Sequence, residues 1–120
     1  MAEEYMLLIM EREAHFENFT SEQEAELDQR HRDFAAAITS SGGEILMSDP
    51  LDAPAPLSRF TPNTEGEVLV TDGPFAETKE ILLGYYKLRV RDDAHARELA
   101  AQCPTAGYVD LMHIRTTPIV

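Results

Sequence analysis

The clearest strand signal in the chain lies in residues 81–90, and it constrains the fold more than any other feature. Side chains at every second position of an extended segment share one face. The two faces carry different sets of side chains: Tyr86, Leu88 and Val90 on one, and Tyr85, Lys87 and Arg89 on the other. We predict that the first face belongs to the core. The chain must therefore build a sheet that other elements cover on at least one side.

A helix is predicted before this strand, from residue 21 to the glycines that follow residue 40. Ser21 and Glu24 have the spacing of a capping box, with Ser21 as the N-cap. Apolar positions then recur with helical spacing on one stripe, formed by Leu27, His31, Phe34 and Ile38. Gly42 or Gly43 supplies the left-handed residue that commonly ends a helix. The stripe predicts a helix that packs against the sheet.

The other segments read mainly as strands. Residues 5–10 form a short apolar run typical of a central strand, and residues 44–47 and 108–115 are further strands. Residues 57–60 and 68–70 flank a turn and predict a hairpin at the edge of the sheet. A second helix, capped by Asp92 or Asp93, carries an apolar stripe formed by Ala96, Leu99, Ala100 and Cys103.

The order strand, helix, strands, strand, helix, strand predicts an α+β fold with an antiparallel sheet and both helices on one face, the ferredoxin-like split β-α-β pattern. The 120 residues suit one domain spanning 1–120, without repeats or linkers. Two helices cannot cover all of the apolar sheet surface. We therefore expect a second subunit against the open face, which makes the protein a homodimer.

Charge excludes several classes of partner. Ten basic residues against 22 acidic ones give a formal charge of −12, which opposes binding to nucleic acid or to anionic membranes.

The acidic start lacks the features of a secretory signal and no long apolar run occurs, so we expect a cytoplasmic protein. The single cysteine and the scattered histidines predict no metal site, and we expect no cofactor. Nucleophile elbows, phosphate loops and dinucleotide fingerprints do not occur.

Residues 72–80 read DGPFAETKE, which is the signature of the YCII-related family, sometimes called the DGPF domain family. The resemblance covers nearly the whole chain and includes the apolar run at Tyr5, the Gly84-Tyr85-Tyr86 strand and the helix ending at Cys103-Pro104. It implies a ferredoxin-like subunit, usually bacterial, that pairs through its sheet as a dimeric α/β barrel. It implies no settled reaction. Genes of such proteins often lie beside those of extracytoplasmic-function sigma factors, which suggests a functional association.

The resemblance also points to a histidine on the first helix, which in related proteins looks like part of a histidine–aspartate pair. His31 fits by its place 11 residues before Gly42, and Asp72 is the candidate aspartate. A carboxylate on one ring nitrogen would leave the other nitrogen as a general base near neutral pH. The alternatives are structural: His31 as a core histidine with one hydrogen-bond partner, and Asp72 as a residue that stabilises a turn.

Four further residues are candidates for ligand binding: Phe75, Glu77, Lys79 and Tyr85. The signature contains more polar groups than a chain reversal requires, although Glu77 and Lys79 could instead form a surface ion pair worth less than about 1 kcal/mol. Lys87, Arg89 and Arg91 most simply pair with acids, and binding of a small anion is the alternative.

Two functions remain open. The chain is either a small-ligand-binding or regulatory homodimer with a cleft between helices and sheet, or a metal-free enzyme with an acid–base site centred on His31. The first interpretation is favoured. A strongly perturbed pKa at His31 would favour the second.

Overall fold

A computed structural model describes residues 2–12, 20–51, 58–73 and 80–115. The elements of this part of the chain, in order, are β1 (Glu3–Arg12), α1 (Ser21–Ser40), β2 (Glu44–Pro50), β3 (Ser58–Pro62), β4 (Val68–Asp72), β5 (Glu80–Val90), α2 (Asp93–Ala100) and β6 (Tyr108–His113). Each predicted helix and strand is present, with ends that differ by a few residues.

The main sheet has four antiparallel strands in the order β2-β5-β1-β6. Each helix therefore connects two strands that are separated by a third, which is the split β-α-β arrangement. The architecture confirms the α+β class and the antiparallel sheet, and it is compatible with the ferredoxin-like pattern. The described strands form an open sheet rather than a closed barrel.

The core lies between the helices and one face of the sheet. Leu7 at the centre of β1 and Leu88 on β5 have no exposed surface, and Ile38 on α1 is equally buried. The same layer contains the other large members of the core: Tyr5, Ile9, Phe34, Tyr86, Val90 and Leu99. The apolar face predicted for residues 86–90 and the buried half of the α1 stripe are thus confirmed.

The N-cap of helix α1 lies one residue before the predicted one. Thr20, not Ser21, is the N-cap: its hydroxyl accepts a hydrogen bond from the backbone N–H of Gln23 (3.1 Å), whose side-chain oxygen accepts one from the Thr20 N–H (2.8 Å). Thr20–Gln23 and Ser21–Glu24 both have capping-box spacing, so the sequence offered two overlapping registers. At the other end Gly42 has φ of +90°, the left-handed conformation that glycine adopts without steric cost.

Strands β3 and β4 pair in the predicted hairpin, but they form a two-stranded sheet of their own. Its large apolar side chains are mostly in solvent: Phe60 is 65% exposed and Leu69 is 57% exposed. Two-stranded ribbons of this kind have little intrinsic stability in water. The hairpin therefore does not belong to the core that supports the main sheet.

Phe34→Ala should lower the free energy of unfolding by about 3–5 kcal/mol, because it leaves a cavity between α1 and the sheet. Its neighbour Asp33 is exposed, and within the described residues its carboxylate accepts a single hydrogen bond, from Gln29 on the same helix, so Asp33→Ala should cost less than about 1 kcal/mol. Urea unfolding followed by circular dichroism measures both. Equal losses in the two variants would show that the buried face of α1 is assigned wrongly.

Candidate functional site

A cleft of about 740 Å³ lies between α1 and the end of the main sheet where β1 and β2 finish and β5 begins. Its apolar wall includes Ile9 on β1, Leu27 on α1 and Leu83 on β5. The prolines at residues 50 and 104 also line it. The space is therefore bounded by backbone and side chains that already belong to the core or adjoin it.

The most prominent polar feature of the cleft is a contact between His31 and Tyr86. The His31 Nδ1 and the Tyr86 hydroxyl oxygen are 2.7 Å apart, which is a hydrogen bond that joins α1 to β5. The two rings are nearly parallel, with centroids 5.9 Å apart. His31 is half-buried, whereas Tyr86 is only 8% exposed. Both residues line the cleft.

Local sequence explains why these two side chains meet. His31 follows Leu27 by one helical turn on the stripe of α1 that faces the sheet, at its half-buried margin. Tyr86 lies on the core face of β5, and the ring of Phe34 contacts the Tyr86 ring edge-on at a centroid distance of 5.2 Å. A buried tyrosine needs a partner for its hydroxyl group, and His31 provides it.

Burial changes the protonation of both groups. Partial removal from water lowers the pKa of His31 below its ordinary 6.5, and the positive charge of Arg30 lowers it further, while the carboxylate of Asp28 opposes this. Burial raises the pKa of Tyr86 to about 12, and Cys103 adds to the effect. At neutral pH, His31 is therefore uncharged and the Tyr86 hydroxyl keeps its proton.

Charged side chains surround the cleft unevenly. Among the described residues, four acids and two arginines line it: Glu11, Glu26, Asp28, Asp49, Arg30 and Arg32. Glu11 differs from the others because it is only 3% exposed, and its carboxylate accepts a hydrogen bond from the Arg12 backbone N–H (2.9 Å). Sequence reasoning missed both residues, since Glu11 follows the predicted strand of residues 5–10 and Tyr86 was assigned to the core.

Asp72 does not pair with His31 in this structure. It lies at the end of β4, where its carboxylate accepts a hydrogen bond from the Ser58 hydroxyl across the hairpin (2.7 Å). The reason is topological, because β3 and β4 form a separate ribbon while His31 faces the main sheet. In the described part of the chain a tyrosine takes the place that was predicted for an aspartate.

The other predicted ligand-binding residues have different outcomes. Phe75, Glu77 and Lys79 lie outside the described residues, so their role stays a prediction. Tyr85 lines the cleft at its edge, and its hydroxyl donates a hydrogen bond to the carboxylate of Asp49 on β2. Tyr85 thus helps to hold the strand that closes one side of the cleft.

The basic side chains on the open face of β5 pair with acids, as the favoured interpretation predicts. Arg89 contacts Glu44 at 3.0 Å and Glu4 at 3.8 Å, and Lys87 contacts Glu4 at 3.6 Å. Arg91 points elsewhere and donates to the backbone carbonyl of Ser41 (2.6 Å) at the end of α1. These contacts place the basic residues away from the cleft.

A split β-α-β subunit with a cleft between its first helix and the end of its sheet is the class of protein that these observations define. The chain belongs to the family of YCII-related domains, which matches residues 4–116. It is also similar to an uncharacterized protein of Rhizobium meliloti (strain 1021), with 42% identity over 64 residues. That match covers 43% of this chain and spans about half of the relative, 52% of its length. No helix within the described ranges is long and apolar enough to cross a membrane.

The protonation of His31 can be tested directly. In NMR titrations at low ionic strength, we expect its midpoint below 6.5, a higher midpoint in Arg30→Gln and a lower one in Asp28→Asn. Because the folded pKa lies below the unfolded one, the folded chain binds fewer protons, and His31's contribution to stability is lost as the pH falls from the unfolded value through the folded one. A midpoint above 6.5 in the unaltered protein would contradict this account.

Proposed function

We propose that this chain binds a small organic ligand in the cleft between α1 and the sheet, with His31 as the polar anchor. The observation that carries the proposal is the His31–Tyr86 hydrogen bond (2.7 Å) within a cleft of about 740 Å³. Ligand sites in proteins are typically apolar cavities of about 300–1,000 Å³ with a few fixed polar groups. The cleft has this size and this composition.

The anchor is fixed in position before any ligand arrives. Tyr86 is packed by Phe34 on one side and hydrogen-bonded to His31 on the other, so neither ring turns freely. Groups that are ordered in advance lose little conformational entropy on binding. This arrangement supports a binding role, because a solvated surface histidine would have to be ordered by the ligand.

The functional unit that we propose is a homodimer, formed through the open face of the main sheet as a dimeric α/β barrel. Met6 and Leu8 on β1 lie on that face, together with Met47 (51% exposed) and Met112 (53% exposed). Lys87 and Arg89 on this face already pair with Glu4 and Glu44 within the subunit, so a partner would cover apolar surface without leaving these two cations unpaired. Methionine-rich surfaces adapt readily to a partner.

An enzyme that uses His31 in proton transfer is the second candidate, and the lowered pKa of this histidine favours it. An imidazole that is uncharged at neutral pH can accept a proton from a substrate in the cleft. Loss of turnover in His31→Gln, with ligand affinity retained, would distinguish catalysis from binding.

The binding function is tested by NMR titration of the protein with small benzene derivatives that carry one substituent, such as acetophenone. We expect shifts at the backbone amides of Gly84, Tyr86 and Ala106, and none at the β3–β4 hairpin. Filling the cleft by Leu27→Trp should weaken binding at least about tenfold, whereas the exposed change Leu69→Trp should leave it unaltered. Shifts confined to the hairpin, or binding insensitive to Leu27→Trp, would show that the cleft is not the site.

The dimer is tested by sedimentation at micromolar concentration, where the expected mass is twice 13.5 kDa. Leu8→Glu buries a charge in the proposed interface and should give a monomer. Leu69→Glu on the exposed hairpin is the matched control and should leave the mass unchanged. A monomeric unaltered protein, or dissociation only by the hairpin variant, would refute an interface on the open face.

A further inference from the structure

We infer that Tyr86 holds His31 with its hydrogen on Nε2, so that the cleft recognises an uncharged ligand through a carbonyl oxygen. This inference rests on the proposed function, and it adds the chemical class of the ligand. It also gives Tyr86 the part of a positioning residue, which acts on the ligand through His31.

The position of the hydrogen follows from the bond between the two rings. Tyr86 as a whole residue is 8% exposed, and His31 Nδ1 is the hydrogen-bond partner of its hydroxyl among the described residues. If Nδ1 carried a hydrogen, the hydroxyl would have to accept, and its own proton would have no acceptor there. A hydroxyl donor without an acceptor in a largely buried residue is destabilising. Tyr86 therefore donates and Nδ1 accepts.

An uncharged imidazole with a bare Nδ1 carries its hydrogen on Nε2. Within the described part of the chain, Nε2 has no hydrogen-bond partner, and His31 lines the cleft. The ring thus offers a donor rather than a base. This is the opposite of what an aspartate partner would produce, because a carboxylate accepts from Nδ1–H and leaves Nε2 bare.

Tyr86 can impose this choice because its own orientation is fixed. The edge-on contact with Phe34 and the position on the core face of β5 set the ring plane, and the raised pKa of about 12 keeps the hydroxyl protonated. A donor of fixed direction selects ligands that carry an acceptor at the matching position. Carbonyl oxygens accept such a hydrogen bond near the plane of the carbonyl group.

The charges around the cleft indicate that this acceptor is uncharged. The described residues that line it include four carboxylates and two guanidinium groups, and the whole chain carries −12, so a carboxylate ligand would enter a negative field. Arg32 already donates to Gln29 on α1 (3.0 Å). A cationic group would be attracted by the acids, but it brings no acceptor for the Nε2 hydrogen. The apolar wall formed by Ile9, Leu27 and Leu83 suits the remainder of an uncharged molecule.

The first experiment determines the hydrogen position without any ligand. Long-range ¹H–¹⁵N correlation spectra of the full chain at pH 7.5 report which ring nitrogen of His31 is protonated. We expect the hydrogen on Nε2 in the unaltered protein and a mixture of both forms in Tyr86→Phe, which keeps the ring but removes the donor. Hydrogen on Nδ1 in the unaltered protein overturns the inference, whether or not the variant folds.

The second experiment compares four probes in the same buffer: acetophenone, ethylbenzene, benzoate and benzylamine. We expect acetophenone to bind about three- to tenfold more tightly than ethylbenzene, which has nearly the same shape but no acceptor. Benzoate and benzylamine should bind more weakly than acetophenone. Tighter binding of either charged probe overturns the assignment of an uncharged ligand while leaving a binding cleft in place.

Variants separate the donor from the cavity. His31→Gln keeps an N–H close to the position of Nε2 and should retain most of the preference for acetophenone over ethylbenzene. His31→Leu should abolish that preference, and Tyr86→Phe should reduce it. If none of the four probes binds at the cleft, the proposed function fails and the ligand class fails with it. If all four bind equally in the unaltered protein, the cleft binds ligands but His31 does not select them, and the inference is wrong.

Discussion

The pairing of β1 with β5 at the centre of the sheet is the contact on which both the core and the cleft depend. It brings Leu7 opposite Tyr86 and Tyr5 opposite Leu88, so the buried faces of the two strands form one surface for the helices. The register shifts after Ile9, beyond its pairing with Gly84. Such a bulge bends a strand and increases its twist, and the cleft begins at this point.

Gly84 on β5 lies against the backbone of β2 and allows the two strands to approach closely. A Cβ atom at Gly84 would lie 2.9 Å from the backbone oxygen of Asp49, closer than real Cβ contacts occur. Only glycine therefore lets β2 approach β5 closely enough for residues 48–50 to form the side wall of the cleft. The Tyr85–Asp49 hydrogen bond secures the same approach from the next residue of β5. The cleft is thus a consequence of strand packing.

Much of the fold could be predicted because it follows from periodicity. Residues 86–90 alternate strictly, and the α1 stripe recurs at helical spacing, so the buried faces of both could be assigned from sequence. The helix cap was misplaced by one residue because Thr20 and Ser21 begin overlapping capping boxes of equal quality. The separation of the β3–β4 hairpin from the main sheet could not be predicted, since strand patterns do not state which strands share a sheet.

The candidate site was harder to predict, because Tyr86 is also a core residue. His31 attracted attention as a polar side chain on an apolar stripe, and it lines the cleft in the structure. Tyr86 was assigned to the core, which it does occupy, but a hydroxyl at a buried position also requires a partner. The need of the Tyr86 hydroxyl for a partner is the sequence signal that connects β5 to His31 on α1. Asp72 attracted attention through its motif, which carries no information about distance in space.

The second helix contains a histidine whose contacts are a useful comparison. His95 is 2% exposed; its Nδ1 accepts from the Arg91 backbone N–H (3.1 Å), and its Nε2 bonds to the Ser41 hydroxyl (2.8 Å). Because a backbone N–H can only donate, the His95 hydrogen lies on Nε2 and is used within the fold. His31 has the same assigned form, but only its Nδ1 is bonded within the described residues. The two histidines therefore differ at the second ring nitrogen, which is hydrogen-bonded to Ser41 at His95 and has no partner among the described residues at His31.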